Sequence, residues 1–121
     1  MFQKAEEQPS SSVRLHLKSK DARAEGTETA DGFVVYAGSL ARAIEVPSIH
    51  AYGTQLRAAL LEKGLFVGAG EHLRLTEDYV FTSPSTAAMT MLGRTSNGRI
   101  EWKTADGRTL KELQTADTEE T

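Results

Sequence analysis

The side chains able to do chemistry are scattered along this 121-residue chain rather than gathered. His16, His50 and His72 stand far apart, without the His-x-x-x-His or His-x-x-Glu-His spacing that turns two imidazoles toward one metal. There is no cysteine, which removes thiolate zinc sites, cysteine nucleophiles and any disulfide framework. Glu77 and Asp78 are neighbours near a strand start. Neighbours in a strand point to opposite faces, so these two make a poor acid/base pair. Ser83 and Ser85 flank Pro84 without the Gly-x-Ser-x-Gly elbow of a serine nucleophile. Gly64, Gly68 and Gly70 mark turns and precede no phosphate-cradling helix. The pattern predicts a protein that is not an enzyme and carries neither cofactor nor metal.

Two places could hold an anion or a base instead. Ser83-Pro84 reads as a helix start: a residue before proline is pushed into extended geometry, and its hydroxyl can accept a free backbone N–H. Such a start carries unpaired donors and partial positive charge. Every helix start does so, and a plain capping role accounts equally for Ser83, Ser85 and Thr86. Arg94, Ser96, Asn97 and Arg99 cluster around a turn, with Lys103 close behind, and Arg and Asn are side chains that grip phosphates and base edges. A solvated hairpin tip accounts for the same residues. The two places join only if residues 94–99 fold back along the helix 84–92, which is about 13 Å long. Ser85 and Thr86 would then face Asn97 and Arg99 across a small polar concavity; otherwise the two are unrelated devices. The candidate site is thus Ser83, Ser85, Thr86, Arg94, Ser96, Asn97, Arg99 and Lys103.

The elements that position these residues follow from periodicity. Val13 to Lys18 alternates apolar and polar, and predicts a strand with Val13, Leu15 and Leu17 inward and Arg14, His16 and Lys18 outward. A second strand, Ala22 to Glu28, carries small residues, so something should pack closely over it. Asp31-Gly32 signals a hairpin before Phe33 to Tyr36, giving a three-stranded meander. A loop from Gly38 to Ser48 leads to a helix near Ala51 to Lys63, with Tyr52, Leu56, Ala59 and Leu60 at helical spacing. Leu65 to Val67, His72 to Leu75 and Tyr79 to Phe81 are short strand candidates. Ala87, Ala88, Met91 and Leu92 form the apolar stripe of the Ser83-capped helix, which Gly93 ends. Asn97-Gly98 then reads as a tight turn into a strand Arg99 to Lys103, with Ile100 and Trp102 on its inner face. That alternation favours a buried Trp102 over one that stacks a base. Thr109 to Glu112 has the spacing of a capping box, so a short helix should begin at Leu110. The expected fold is α+β: a small antiparallel or mixed sheet with an N-terminal meander, two main helices and a short C-terminal one.

Composition sets the frame. The formal charge is −3, but Glu6, Glu7, Asp117, Glu119 and Glu120 against Lys4 lie in the two ends, leaving the rest near neutral. Residues 1–12 read as a disordered tail, 13–114 as one domain, and 115–121 as an acidic disordered tail. No apolar run approaches membrane-spanning length and no signal-peptide core opens the chain, so a cytoplasmic location is expected.

Phe81-Thr-Ser-Pro-Ser-Thr-Ala-Ala, Gly93-Arg94, Asn97-Gly98, Trp102-Lys103 and Asp106-Gly107-Arg108-Thr109-Leu110 together resemble an uncharacterised bacterial domain family. That family occurs at the C-terminus of GIY-YIG nuclease-family proteins and in restriction-type contexts. Asp31-Gly32-Phe33-Val34-Val35, Gly38-Ser39, Leu56-Arg57 and Leu60 also fit it, so the likeness runs from Val13 to Leu113. The C-terminal half is similar to the restriction-enzyme and adenine-methylase associated domain as well, although Arg99 stands where that likeness has an aromatic residue. The resemblance implies an accessory domain for DNA-associated recognition, with weak, salt-dependent DNA binding and any catalysis in an attached nuclease or methylase. The alternative is an assembly module of such an enzyme with no DNA contact of its own.

Overall fold

The computed structural model describes residues 13–120, with side chains described as far as Thr115. The expected tail over 1–12 lies outside the described residues. Seven strands, β1 (Leu15–Lys18), β2 (Arg23–Thr29), β3 (Gly32–Val35), β4 (Leu40–Arg42), β5 (Phe66–Ala69), β6 (His72–Leu75) and β7 (Tyr79–Phe81), form one open antiparallel sheet. Helices α1 (Ala51–Glu62), α2 (Pro84–Leu92), α3 (Gly98–Glu101) and α4 (Leu110–Glu120) complete the α+β fold. The expected N-terminal meander is present, because β1, β2 and β3 pair antiparallel in succession.

The path through the sheet is β5-β6-β4-β2-β3-β7, with β1 also on β2. Arg23 pairs with both Lys18 and Leu40, and Gly26 with both Leu15 and Val35. Since a strand has two edges, β1 occupies one edge of β2 while β3 and β4 follow each other along the other. β7 and β6 flank β3 and β4 in turn, and Val35↔Tyr79 and Leu40↔Arg74 keep one register across the gap. Gly38 N–H to Leu75 O, Leu75 N–H to Ser39 O and Ala37 N–H to Asp78 Oδ1 bridge that gap.

Among the described residues, one face of the sheet is covered and the other is not. Leu15, Leu17, Ala24, Phe33, Val35, Ala41, Phe66, Leu75 and Phe81 turn to the covered face and form the core with Ala87, Ala88, Met91 and Leu92 of α2. That run in α2 is small and apolar enough for the helix to lie close against the strands. Gly93 ends α2 at φ 68°, a left-handed conformation that costs a side-chain-bearing residue extra energy. Ser83 caps its start as the sequence predicts, with Oγ 3.1 Å from the Thr86 N–H. The capping box of α4 is also formed: Thr109 N–H donates to Glu112 Oε1 at 2.8 Å, and Glu112 N–H to Thr109 Oγ1 at 3.1 Å. As backbone, α4 runs on through residues 116–120, which composition alone places in the acidic tail.

Four expectations need correcting, the first being Val13, which the alternation turns inward but which lies 41% exposed ahead of β1. The strand predicted over Arg99 to Lys103 is the short helix α3. Asn97 caps it, its Oδ1 accepting the Arg99 N–H at 3.0 Å, and Asn97 O then accepts the N–H groups of Ile100 and Glu101. Ile100 is therefore 48% exposed, whereas Trp102, one step past the turn, is fully buried as predicted. Two alternating residues are too few to impose a strand on an Asn that can cap a helix. The loop from Gly38 contains β4, only three residues long, whose slot between β2 and β6 exists only once the sheet is assembled. Finally, of the stripe expected on α1, Leu60 is buried, Leu56 packs on the core and Ala59 is half-buried, but Tyr52 lies exposed and the face is completed by Gly53 and Arg57.

Arg57 explains that departure. The residue is 1% exposed, and its guanidinium donates to Thr90 O, to Arg42 O and Ala43 O, and to Glu45 Oε2 at 3.2 Å. Burial pushes its pKa down and Glu45 opposes the shift. A buried cation is tolerable only with its donors satisfied, and here it ties α1, α2 and the end of β4 together.

Candidate nucleic-acid interface

Residues 94–99 fold back onto the start of α2. Gly98 N–H donates to Ser85 Oγ at 2.9 Å, and Trp102 Nε1 donates to Pro84 O at 3.0 Å. A Cβ on Gly98 would lie 2.2 Å from the Pro84 carbonyl, so only glycine permits this approach. Ser83, Ser85, Thr86, Asn97 and Arg99 are thus brought into one neighbourhood, but their polar groups are largely spent on one another. Ser83 takes the N–H groups of Thr86 and Ala87, through its Oγ and O. Thr86 Oγ1 accepts from Ser83 Oγ at 3.1 Å, and Asn97 caps α3. The start of α2 is consequently half-buried, with the Thr86 and Ala87 N–H groups already taken up by Ser83.

The cations of this neighbourhood are engaged as well. Arg94 donates to Ser96 Oγ at 2.9 Å and sits 3.5 Å from Glu101. Arg99 Nε donates to Gln114 Oε1 at 2.6 Å. Lys103 does not join this cluster. Its backbone pairs with His16 by 2.7 and 2.9 Å hydrogen bonds, which carries it to the outer edge of β1.

From Lys103 the uncovered face of the sheet becomes readable. Directly opposed residues of an antiparallel pair share a face. Lys103 opposes His16, and His16 opposes Glu25. Lys18 opposes Arg23, Arg23 opposes Leu40, and Leu40 opposes Arg74. Each of these alternates with a buried neighbour (Leu17, Ala24, Ala41, Leu75 or Trp102), so all point away from the helices. Among the described residues, Lys18, Arg23, Arg74 and Lys103 have no carboxylate at ion-pair distance. Lys18 and Arg23 are like charges set directly opposite, an arrangement that costs stability.

The carboxylates around this face are occupied. Arg14 Nε donates to Glu25 Oε1 at 2.7 Å, and that bond holds the Glu25 carboxyl below its usual pKa. Arg42 Nη1 meets Asp21 at 2.8 Å, and Glu101 is the partner of Arg94. The Arg14 guanidinium also lies 4.5 Å over the Tyr36 ring. Two pockets open here. One of about 270 Å³ includes Arg14, Arg23, Glu25, Tyr36, Ser39 and Leu40. The other, about 290 Å³, includes His16, Lys18, Glu101, Lys103 and Thr104. Toward β7 the same face turns apolar, with Thr27, Val34 and Val80 in one cross-strand row and Val80 50% exposed.

Arg14, Lys18, Arg23, Tyr36 and Arg74 are absent from the site that motifs point to. The outward side of β1 is legible by alternation, but joining it to Arg23 and Arg74 requires the pairing register. Among the described residues no group of three or more His, Asp or Glu is placed to hold a metal ion. Nor is any helix among them long and apolar enough to cross a membrane.

The profile of a domain of unknown function, DUF4357, matches residues 15–114. The chain belongs to the DUF4357 family. The match takes in all seven strands, α1 to α3 and the first turn of α4, so the basic sheet face and the α2–α3 clasp both lie within the DUF4357 domain. No curated protein and no solved structure matches the chain.

Proposed function

We propose that this DUF4357 domain is a non-catalytic accessory domain for DNA-associated recognition, serving a nuclease or restriction-modification-like system through the open face of its sheet. The observation that carries the reading is the Lys18–Arg23 pair: two exposed cations held directly opposite, with Arg74 and Lys103 nearby and no carboxylate paired to any of them among the described residues. Like charges so placed repel, and a polyanion lying over them turns that repulsion into attraction. The motif resemblance to nuclease-associated and restriction-associated domains supplies the setting. Relative to the motif-based site, the contact surface moves from the α2–α3 clasp, where Arg94 and Arg99 are engaged, to the sheet, where Lys18, Arg23, Arg74 and Lys103 have no carboxylate partner among the described residues.

Fluorescence anisotropy with labelled DNA at several salt concentrations tests the reading. Binding should weaken with salt along a slope corresponding to about 2–4 phosphates. The double variant Arg23→Glu/Arg74→Glu should abolish it while the fold is retained. Absence of binding at low salt would remove the DNA reading and leave an assembly module in its place.

A further inference from the structure

Resting on the DNA reading, we propose that the open sheet face takes single-stranded DNA, with one base in the pocket of Tyr36 and Leu40 and the flanking phosphates on Lys18, Arg23 and Lys103. The face is ordered in rows across the strands. Lys18, Arg23, Leu40 and Arg74 form the cationic row. Thr27, Val34 and Val80 form the apolar row. Tyr36, whose N–H bonds to Glu25 O, lies between the two. A chain that enters past Lys103, at the β1 end of the Tyr36 row, and runs its phosphates over Lys18 and Arg23 turns its bases toward Tyr36 and the second row.

Only unpaired bases can use that order. In a duplex the bases are stacked inside, and reading them takes a helix or ribbon that enters a groove. Here α1 and α2 pack against the opposite face, and what meets the ligand is a set of strands side by side. A duplex laid on this surface would use the cations and leave Tyr36, Leu40, Val34 and Val80 idle. A single strand gives each of them a partner, since bases stack on aromatic rings and guanidinium planes. The Arg14 guanidinium already lies 4.5 Å over one face of the Tyr36 ring, so a base stacks on the outer plane of that guanidinium or on the ring once Arg14 turns aside. The second pocket, with His16, Lys18 and Lys103, opens across β1 from the first and would receive a neighbouring phosphate.

The test compares a labelled oligothymidine with a hairpin duplex carrying the same number of phosphates, on the intact chain, by anisotropy between about 50 and 200 mM salt. The single strand should bind more tightly. Tyr36→Ala should weaken it by about 5- to 150-fold without changing the salt slope, because stacking releases no counterions. Lys18→Gln should instead lower the slope by about 0.7. Because Tyr36→Ala could also disturb the sheet, photocrosslinking of the unaltered protein to a 5-iododeoxyuridine strand gives an independent readout, expected on the peptide that contains Tyr36. Equal or tighter duplex binding with a silent Tyr36→Ala would overturn the single-strand assignment and leave the DNA reading standing, whereas crosslinks confined to 94–99 would overturn the sheet face as the contact surface for either form. No binding of either form at low salt would overturn both.

Discussion

Trp102 Nε1 donates to the carbonyl oxygen of Pro84 at 3.0 Å, so the one indole of the chain is fixed to the first turn of α2. Its ring is fully buried, with its centroid 4.6 Å from that of Phe33, and so joins α2 to β3. Trp102→Ala should cost about 3–5 kcal/mol. Trp102→Phe keeps most of the packing and removes only the indole's hydrogen bond to the Pro84 carbonyl, which α2 itself still engages, and should cost about 0.5–1.5 kcal/mol. Urea melts of the two variants check both the size and the order of the losses.

Gly98 is expected to resist substitution more than any exposed residue of α3. In Gly98→Ala the new methyl would sit 2.2 Å from the backbone of Pro84, which cannot swing aside as a flexible side chain would. A loss of at least about 1–3 kcal/mol follows, against under about 0.5 kcal/mol for Ile100→Ala. Thermal melts of the pair would show whether the α2–α3 clasp is as tight as this spacing implies.

Arg57→Met should destabilise by about 3–5 kcal/mol despite the good fit of a methionine stem, because three carbonyls lose this donor together and Glu45 keeps only its hydrogen bond from Thr54. The double change Arg57→Met/Glu45→Gln should recover part of that loss. If the double variant is no more stable than Arg57→Met, the carbonyls rather than Glu45 set the cost.

Glu25 gives a pH dependence of known sign. The hydrogen bond from Arg14 lowers its folded pKa, so its contribution to stability is present above the unfolded glutamate value and fades as pH falls through the lower folded one. The pair is exposed and screened, so the effect should stay under about 1 kcal/mol. Glu25→Gln should flatten the acid limb of the stability curve by that amount. The same change should strengthen DNA binding, since it removes a negative charge from the face and releases Arg14.

What the chain reveals by eye depends on how local the cause is. The Ser83 cap, the Gly93 stop, the Thr109–Glu112 box and the alternation of β1 each arise within a few residues, and each is legible. Asn97-Gly98 misleads because one dipeptide serves two devices: it reads as a hairpin turn, and Asn97 caps a helix because Ser85 and Pro84 await Gly98. The basic face is harder still. Lys18 and Arg74 reach the same row through β2 and β4, and nothing near either residue announces the other. Arg57 hides for a similar reason, since an arginine on a helix looks solvent-bound until Thr90 and Arg42 are seen to surround it.

The unbroken register between β3–β4 and β7–β6 ties the lengths of two distant linkers together. Residues 36–39 and 75–78 cross the same gap side by side, so adding one residue to either alone would slide β4 against β6 by a single step. In a two-residue pleat that step exchanges the faces: Leu40 or Arg74 would be driven toward the core and Ala41 or Leu75 out to solvent. Insertions there are tolerable only in matched pairs, or in a form that bulges clear of the ladder. The two linkers therefore behave as a single unit of sequence length, and the alignment of the cationic row across β2, β4 and β6 is held by their agreement.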